Sequence, residues 1–82
     1  MTFRITVVLR LSGHLDRESV AGLRAEVSHP RPNVLDLGEV TLVDVTVVRF
    51  LMACEEEGIE LVHCARYIRE RMDRERGRLR RP

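Results

Sequence analysis

Between Val34 and Val47 a short apolar run meets an aspartate and continues as a second apolar run of different period. Val34-Leu35-Asp36-Leu37 is brief and almost wholly apolar, as expected of a central strand. Gly38-Glu39 reads as a turn. Asp44 has the side chain of a helix N-cap. Beyond it Val47, Leu51 and Cys54 recur at helical spacing to about Glu57, and Val48 and Met52 widen that stripe. A helix that begins just past a strand end is a natural place to present a surface or hold an anion. No serine follows Asp44 and no glycine follows Thr46.

The flanking segments supply partners for this unit. Phe3, Ile5, Val7, Leu9 and Leu11 alternate with Arg4, Thr6, Val8 and Arg10, which predicts a strand with one buried face. Ser12-Gly13-His14 reads as the turn out of it. Asp16 then caps a helix in which Val20, Leu23 and Val27 face inward and Arg17, Arg24 and Glu26 face water. His29-Pro30-Arg31-Pro32 stops that helix. Gly58 suits the position just past the second helix. Ile59 to His63 reads as a third strand, and a third helix follows from about Arg66, with Ile68, Met72 and Leu79 on its inner side. The order strand–helix–strand–helix–strand–helix predicts an α/β domain with a mostly parallel sheet of three to four strands and crossover helices. Residues 1–76 form this domain, and 77–82 read as a basic, fraying tail.

Eighty-two residues make one small domain with a marginal core. Apolar content of 44% excludes wholesale disorder. No apolar run approaches the ~20 residues of a membrane span, and the N-terminus lacks the apolar core of a secretory signal, so a cytoplasmic location is expected. All 14 basic residues are arginine. Residues 1–65 carry a net charge of −4 and residues 66–82 a net charge of +5. Glu55-Glu56-Glu57 oppose the dipole at the end of the second helix, each by ~0.3–1 kcal/mol. Water, the arginine-rich third helix or a neighbouring subunit are the candidate offsets. Cys54 and Cys64 lack CxxC spacing and read as packing residues, and no metal site is expected. The spacing contains no nucleophile–base pair and no glycine-rich phosphate loop, so neither an enzyme nor a cofactor is expected.

Three ordered pieces resemble a STAS domain, the fold of bacterial anti-sigma factor antagonists. Leu11-Ser12-Gly13-His14-Leu15-Asp16 resembles the entry to the family's first helix. Val34 to Asp44 resembles its apolar strand and terminal aspartate. Ile59 to Tyr67 resembles its last strand and the approach to the next helix. The resemblance implies a small STAS-like β-α-β-α-β-α domain that docks a protein partner, an anti-sigma factor or a related signalling protein, in transcription regulation or signalling. The family places Ser-Ser-Gly after the aspartate, and its phospho-switch members are phosphorylated on the first serine. This chain has Val45-Thr46-Val47 there. Val45 has no hydroxyl, Thr46 keeps one as a displaced phosphosite, and Val47 adds bulk where the family leaves space. The expected partner surface is therefore Gly38, Asp44, Val45 and Thr46, with Asp36 beside it at the end of the central strand.

Three other readings compete. Homodimerisation through the first strand or the third helix would cover an exposed sheet edge. The arginine run from Arg66 to Arg81 is the basis of a nucleic-acid-binding alternative, weakened by the interleaved Glu70, Asp73 and Glu75 and by Tyr67 being the sole nearby aromatic. Nucleotide binding, which the resemblance implies for a variant of the family, finds no glycine-rich phosphate loop here.

Overall fold

The computed structural model describes residues 6–28 and 31–79. The elements are β1 (Val8–Leu15), α1 (Arg17–Glu26), β2 (Val34–Val43), α2 (Val45–Glu56), β3 (Glu60–Val62) and α3 (Arg66–Leu79). One sheet has the strand order β1-β2-β3, and both pairings are parallel. Parallel neighbours need crossovers, and α1 and α2 supply them. Helix α1 packs on α2, and α2 packs on α3. The helices therefore form one layer over one face of the sheet. Leu11, Leu15, Leu35, Leu37, Val40, Val43 and Leu61 point into that layer against Val47, Val48, Leu51, Ile68 and Met72.

The opposite sheet face carries no helix among the described residues. It presents Val8, Arg10, Ser12 and His14 of β1 to solvent, with Asp36 half-buried among them. Asn33 sets the start of the central strand. Its N–H donates to the Val7 carbonyl at 2.9 Å, its side chain accepts from the Val7 N–H at 2.8 Å, and its carbonyl accepts from the Glu60 N–H at 2.9 Å.

The sheet departs from the sequence reading at two expected turns, which are strand. Gly38-Glu39 lies within β2, and Ser12-Gly13-His14 lies within β1. The register explains the misreading. Arg10 pairs with Asp36 and Ser12 with Glu39, so three residues of β2 answer two of β1; Gly13 pairs with Val40 and His14 with Leu42, so two answer one. Each mismatch leaves β2 with one extra residue, a bulge that keeps Val40 and Val43 facing inward. Two adjacent exposed residues thus interrupt the alternation without ending the strand. Gly13 takes φ +80, which a side chain rarely tolerates. Phe3 and Ile5, expected in the first strand, lie outside the described residues.

The helices follow the sequence more closely. Asp16 caps α1 in a full capping box with Ser19. Val20 and Leu23 are buried, and Arg17, Arg24 and Glu26 are exposed. Gly58 has φ +92 after α2, with the Ile59 N–H bonding the Cys54 carbonyl at 3.0 Å. Helix α3 runs through Gly77, Arg78 and Leu79, which had been expected to fray, and Leu79 is 63% exposed rather than turned inward.

Leu51 is fully buried and Leu79 is not. Replacing Leu51 by alanine is expected to cost ~2–5 kcal/mol in a urea titration, whereas Leu79→Ala should stay within ~0.5 kcal/mol of the parent.

Candidate functional site

Asp44 stands between two helices. Its Oδ1 accepts from the Val47 N–H at 3.0 Å, closing the first turn of α2. Its Oδ2 accepts from the Arg17 N–H at 2.8 Å, at the start of α1. Its own N–H donates to the Leu15 carbonyl at 3.3 Å. The Val47 bond, aided by those from Arg17 and Thr46, outweighs desolvation and holds this carboxyl below its ordinary 3.8. Asp44 is thus an ionised clamp with its oxygens already engaged.

Val45 and Thr46 diverge from that point. Val45 is 36% exposed and lines a cleft between α2 and α3. Thr46 is half-buried and lines a groove of about 460 Å³ between α1 and α2, with Val27, Phe50, Ala53 and Cys54. Near the same helix start Leu42 is 57% exposed, and Tyr67, 38% exposed, donates its hydroxyl to the Thr41 carbonyl. Leu42, Val45 and Tyr67 are therefore three exposed apolar side chains near the start of α2. Leu42 escaped notice because the second bulge turns it outward, and Tyr67 because only the fold brings α3 to the end of β2.

Gly38 and Asp36 belong elsewhere. Asp36 is the third residue of the ten-residue β2, not its end. About eight residues of strand, roughly 25 Å, separate it from Asp44. Its Oδ1 accepts from the Gly38 N–H at 2.9 Å and lies 3.1 Å from His63 Nδ1, while Oδ2 faces Arg10 Nε at 3.6 Å. A Cβ on Gly38 would sit 3.1 Å from that Oδ1 and 3.3 Å from His63 Cβ, so glycine leaves the room in which the three groups meet. His63 itself has φ 54, an uncommon backbone for a residue with a side chain. The Gly38 N–H, then His63 and Arg10, hold the Asp36 carboxyl below 3.8. Of the four expected surface residues, the fold brings Asp44, Val45 and Thr46 together and sets Gly38 apart with Asp36.

The thiols are quiet. Burial raises Cys54 to about 11 and also raises Cys64, so neither is a thiolate near neutral pH. Among the described residues no group of three His, Cys, Asp or Glu could hold a metal ion. No helix among them is long and apolar enough to cross a membrane.

A three-stranded parallel sheet, helices on one face and an aspartate-capped helix after the central strand define a STAS-type α/β module. The model of the family described as "Mlab, STAS domain" matches residues 3–66, and the chain belongs to that family. No curated protein and no solved structure matches it significantly. STAS domains in general mediate protein–protein contacts and are generally non-catalytic. Most of α3 lies beyond the matched residues.

Both lowered carboxylates favour the folded state when ionised. Their contribution is complete above the unfolded value near 3.8 and fades as pH falls through the lower folded values. Asp36→Asn and Asp44→Asn are each expected to be less stable than the parent at pH 7. Each should also lose less stability than the parent between about pH 5 and pH 2, as read by urea titrations across that range.

Proposed function

We propose that this chain is a non-catalytic docking module that regulates transcription or signalling by binding a protein partner, an anti-sigma factor or a related signalling protein, without the phosphoserine switch of its family. The exposure of three apolar side chains, Leu42, Val45 and Tyr67, near the capped start of α2 carries the reading. Exposed apolar side chains on a fixed backbone suit association, because little freedom is lost when a partner covers them. Valine at position 45 cannot accept phosphate and adds to that apolar area. Thr46 turns into the α1–α2 groove, half-buried, a poor position for a kinase substrate. Gly38 joins the surface only through the continuity of β2, and its tight fit against Asp36 and His63 gives it a structural role.

The nucleic-acid alternative loses ground on α3. Arg66 pairs with Glu70, Arg69 and Arg76 with Glu55, Arg78 with Glu75, and Arg71 donates to the Val43 carbonyl. These pairs fold the run back onto the protein instead of displaying it as one extended basic surface, and Tyr67 is the sole aromatic beside it, which leaves no stacking platform for bases. Self-association is also part of the proposal. β1 is an edge strand, and among the described residues nothing pairs with its outer side. A second β1 would continue the sheet.

The decisive measurement is binding to purified anti-sigma factors and related signalling proteins from the same cell. Leu42→Asp and Val45→Asp are each expected to weaken capture by about 10-fold or more, a typical loss for a central apolar contact. Capture unchanged by both substitutions would overturn the docking surface. Stoichiometric phosphate on Thr46 in a kinase assay would overturn the absence of a phospho-switch.

A further inference from the structure

The cleft between α2 and α3 has a composition that partner docking does not use. It encloses about 340 Å³ and is lined by Val45, Arg49, Arg71, Arg74, Glu75 and Arg78. Four guanidinium groups face one carboxylate, an excess of three positive charges. Such an excess in a small concavity between packed helices focuses a field that attracts anions.

The walls are also held in place. Glu75 is 6% exposed, and its carboxylate takes Arg49 Nε at 3.0 Å and Arg78 Nη1 at 3.5 Å. Arg71 Nη1 donates to the Val43 carbonyl at 2.7 Å, which anchors it beside the start of α2. Each of these side chains keeps further N–H donors, because a guanidinium has five. Arg74 has no hydrogen-bond or ion-pair partner among the described residues. Helix α2 adds no acid in its first turn, so its positive dipole end is not neutralised there beyond the Asp44 cap. Glu75 thus acts as a brace that orients two arginines while leaving the cleft strongly positive.

We propose that this cleft is a binding site for a compact phosphate-type dianion, either inorganic phosphate or the phosphate of a monoester. Arg74 and the spare donors of Arg49, Arg71 and Arg78 would form charge-assisted bonds to its oxygens. No aromatic side chain lines the cleft, so it offers no platform for a nucleobase. Its volume, at the low end for small-molecule sites, admits a phosphate group with the ester portion that carries it. The site shares Val45 with the docking surface, and two variants separate the readings: Arg74→Gln spares the docking residues, and Leu42→Asp spares the cleft.

Thermal unfolding and calorimetric titration at about pH 7.5, where phosphate groups are mostly dianionic, test the site. Inorganic phosphate at ~10 mM is expected to raise Tm above that in sodium chloride of equal ionic strength, since a ligand that binds only the folded state stabilises it. Arg74→Gln, which removes an exposed side chain, should fold normally and weaken phosphate binding by about 10-fold, the scale of a charge-assisted hydrogen bond. Val45→Glu places a carboxylate at the mouth of the cleft. It should raise Tm without phosphate and abolish the phosphate-induced rise. A short phosphoserine peptide and its unphosphorylated form separate the two sources. Tighter binding of the phosphopeptide than of free phosphate assigns the site to a monoester, and the reverse assigns it to the free ion. The absence of any phosphate-specific shift would overturn the site, as would Arg74→Gln and Val45→Glu both binding phosphate like the parent.

Discussion

A single carboxylate joins the starts of two helices to the ends of two strands. Asp44 accepts from Arg17 at the head of α1 and from Val47 at the head of α2, and its N–H reaches Leu15 at the end of β1. A helix start leaves four N–H groups without internal partners, so two adjacent starts concentrate positive potential and unmet donors. Asp16 caps α1 with Ser19, and Asp44 serves one N–H at each start, those of Arg17 and Val47. This fixes α1 beside α2 and sets the direction in which Val45 and Thr46 leave the sheet. Val45, next to Asp44, lines the arginine cleft.

The central strand imposes the second constraint. β3 pairs with β2 only from Val34 to Asp36, which leaves the later part of β2 without a strand on that side. Helix α3 compensates with side chains. Tyr67 bonds the Thr41 carbonyl and Arg71 the Val43 carbonyl, so part of that edge is satisfied by a helix lying across it. The same helix answers the acidic end of α2. Glu55 accepts from Arg69 at 2.9 Å and Arg76 at 3.3 Å, so the intramolecular offset is the one the fold uses for that residue. These pairs are partly exposed, and each contributes ~0.2–1 kcal/mol. Their effect is mainly to hold α3 in register against α2.

What the sequence made legible was what depends on short-range chemistry. Asp16 and Asp44 were readable as caps because the capping side chain and its N–H lie three residues apart. The stripe of Val47, Leu51 and Cys54 was readable because helical period alone decides which face is buried. The parallel sheet followed from the alternation of strands and helices. Gly38-Glu39 failed because a bulge and a turn leave the same local signature, two exposed residues between apolar runs. Only the register with β1 separates them, and register is a property of two strands. Asp36 failed for the same reason: with β2 cut short at Leu37, it was placed near Asp44 instead of with Arg10 and His63. Leu79 failed because α3 outruns the layer it packs on.

The arginine cleft marks the boundary between these cases. Arg71, Arg74, Glu75 and Arg78 stand at the spacing of one helical face, and Arg49 lies one turn beyond Val45, so both halves were present as patterns. Nothing local said that the two faces meet. Read as a run, the arginines suggest a solvated or nucleic-acid-binding surface, because charge is counted along the chain. In the fold they sort by partner: most are spent on Glu55, Glu70, Glu75 or backbone carbonyls, and the remaining donors converge beside Val45. In relatives with a phosphoserine at that position, the helix start itself bears the negative charge. Here the position is apolar and the positive charge is gathered next to it. Asp44 caps this helix start but its oxygens are spent on backbone N–H groups, so the unspent guanidinium donors beside Val45 are left to receive an anion from outside.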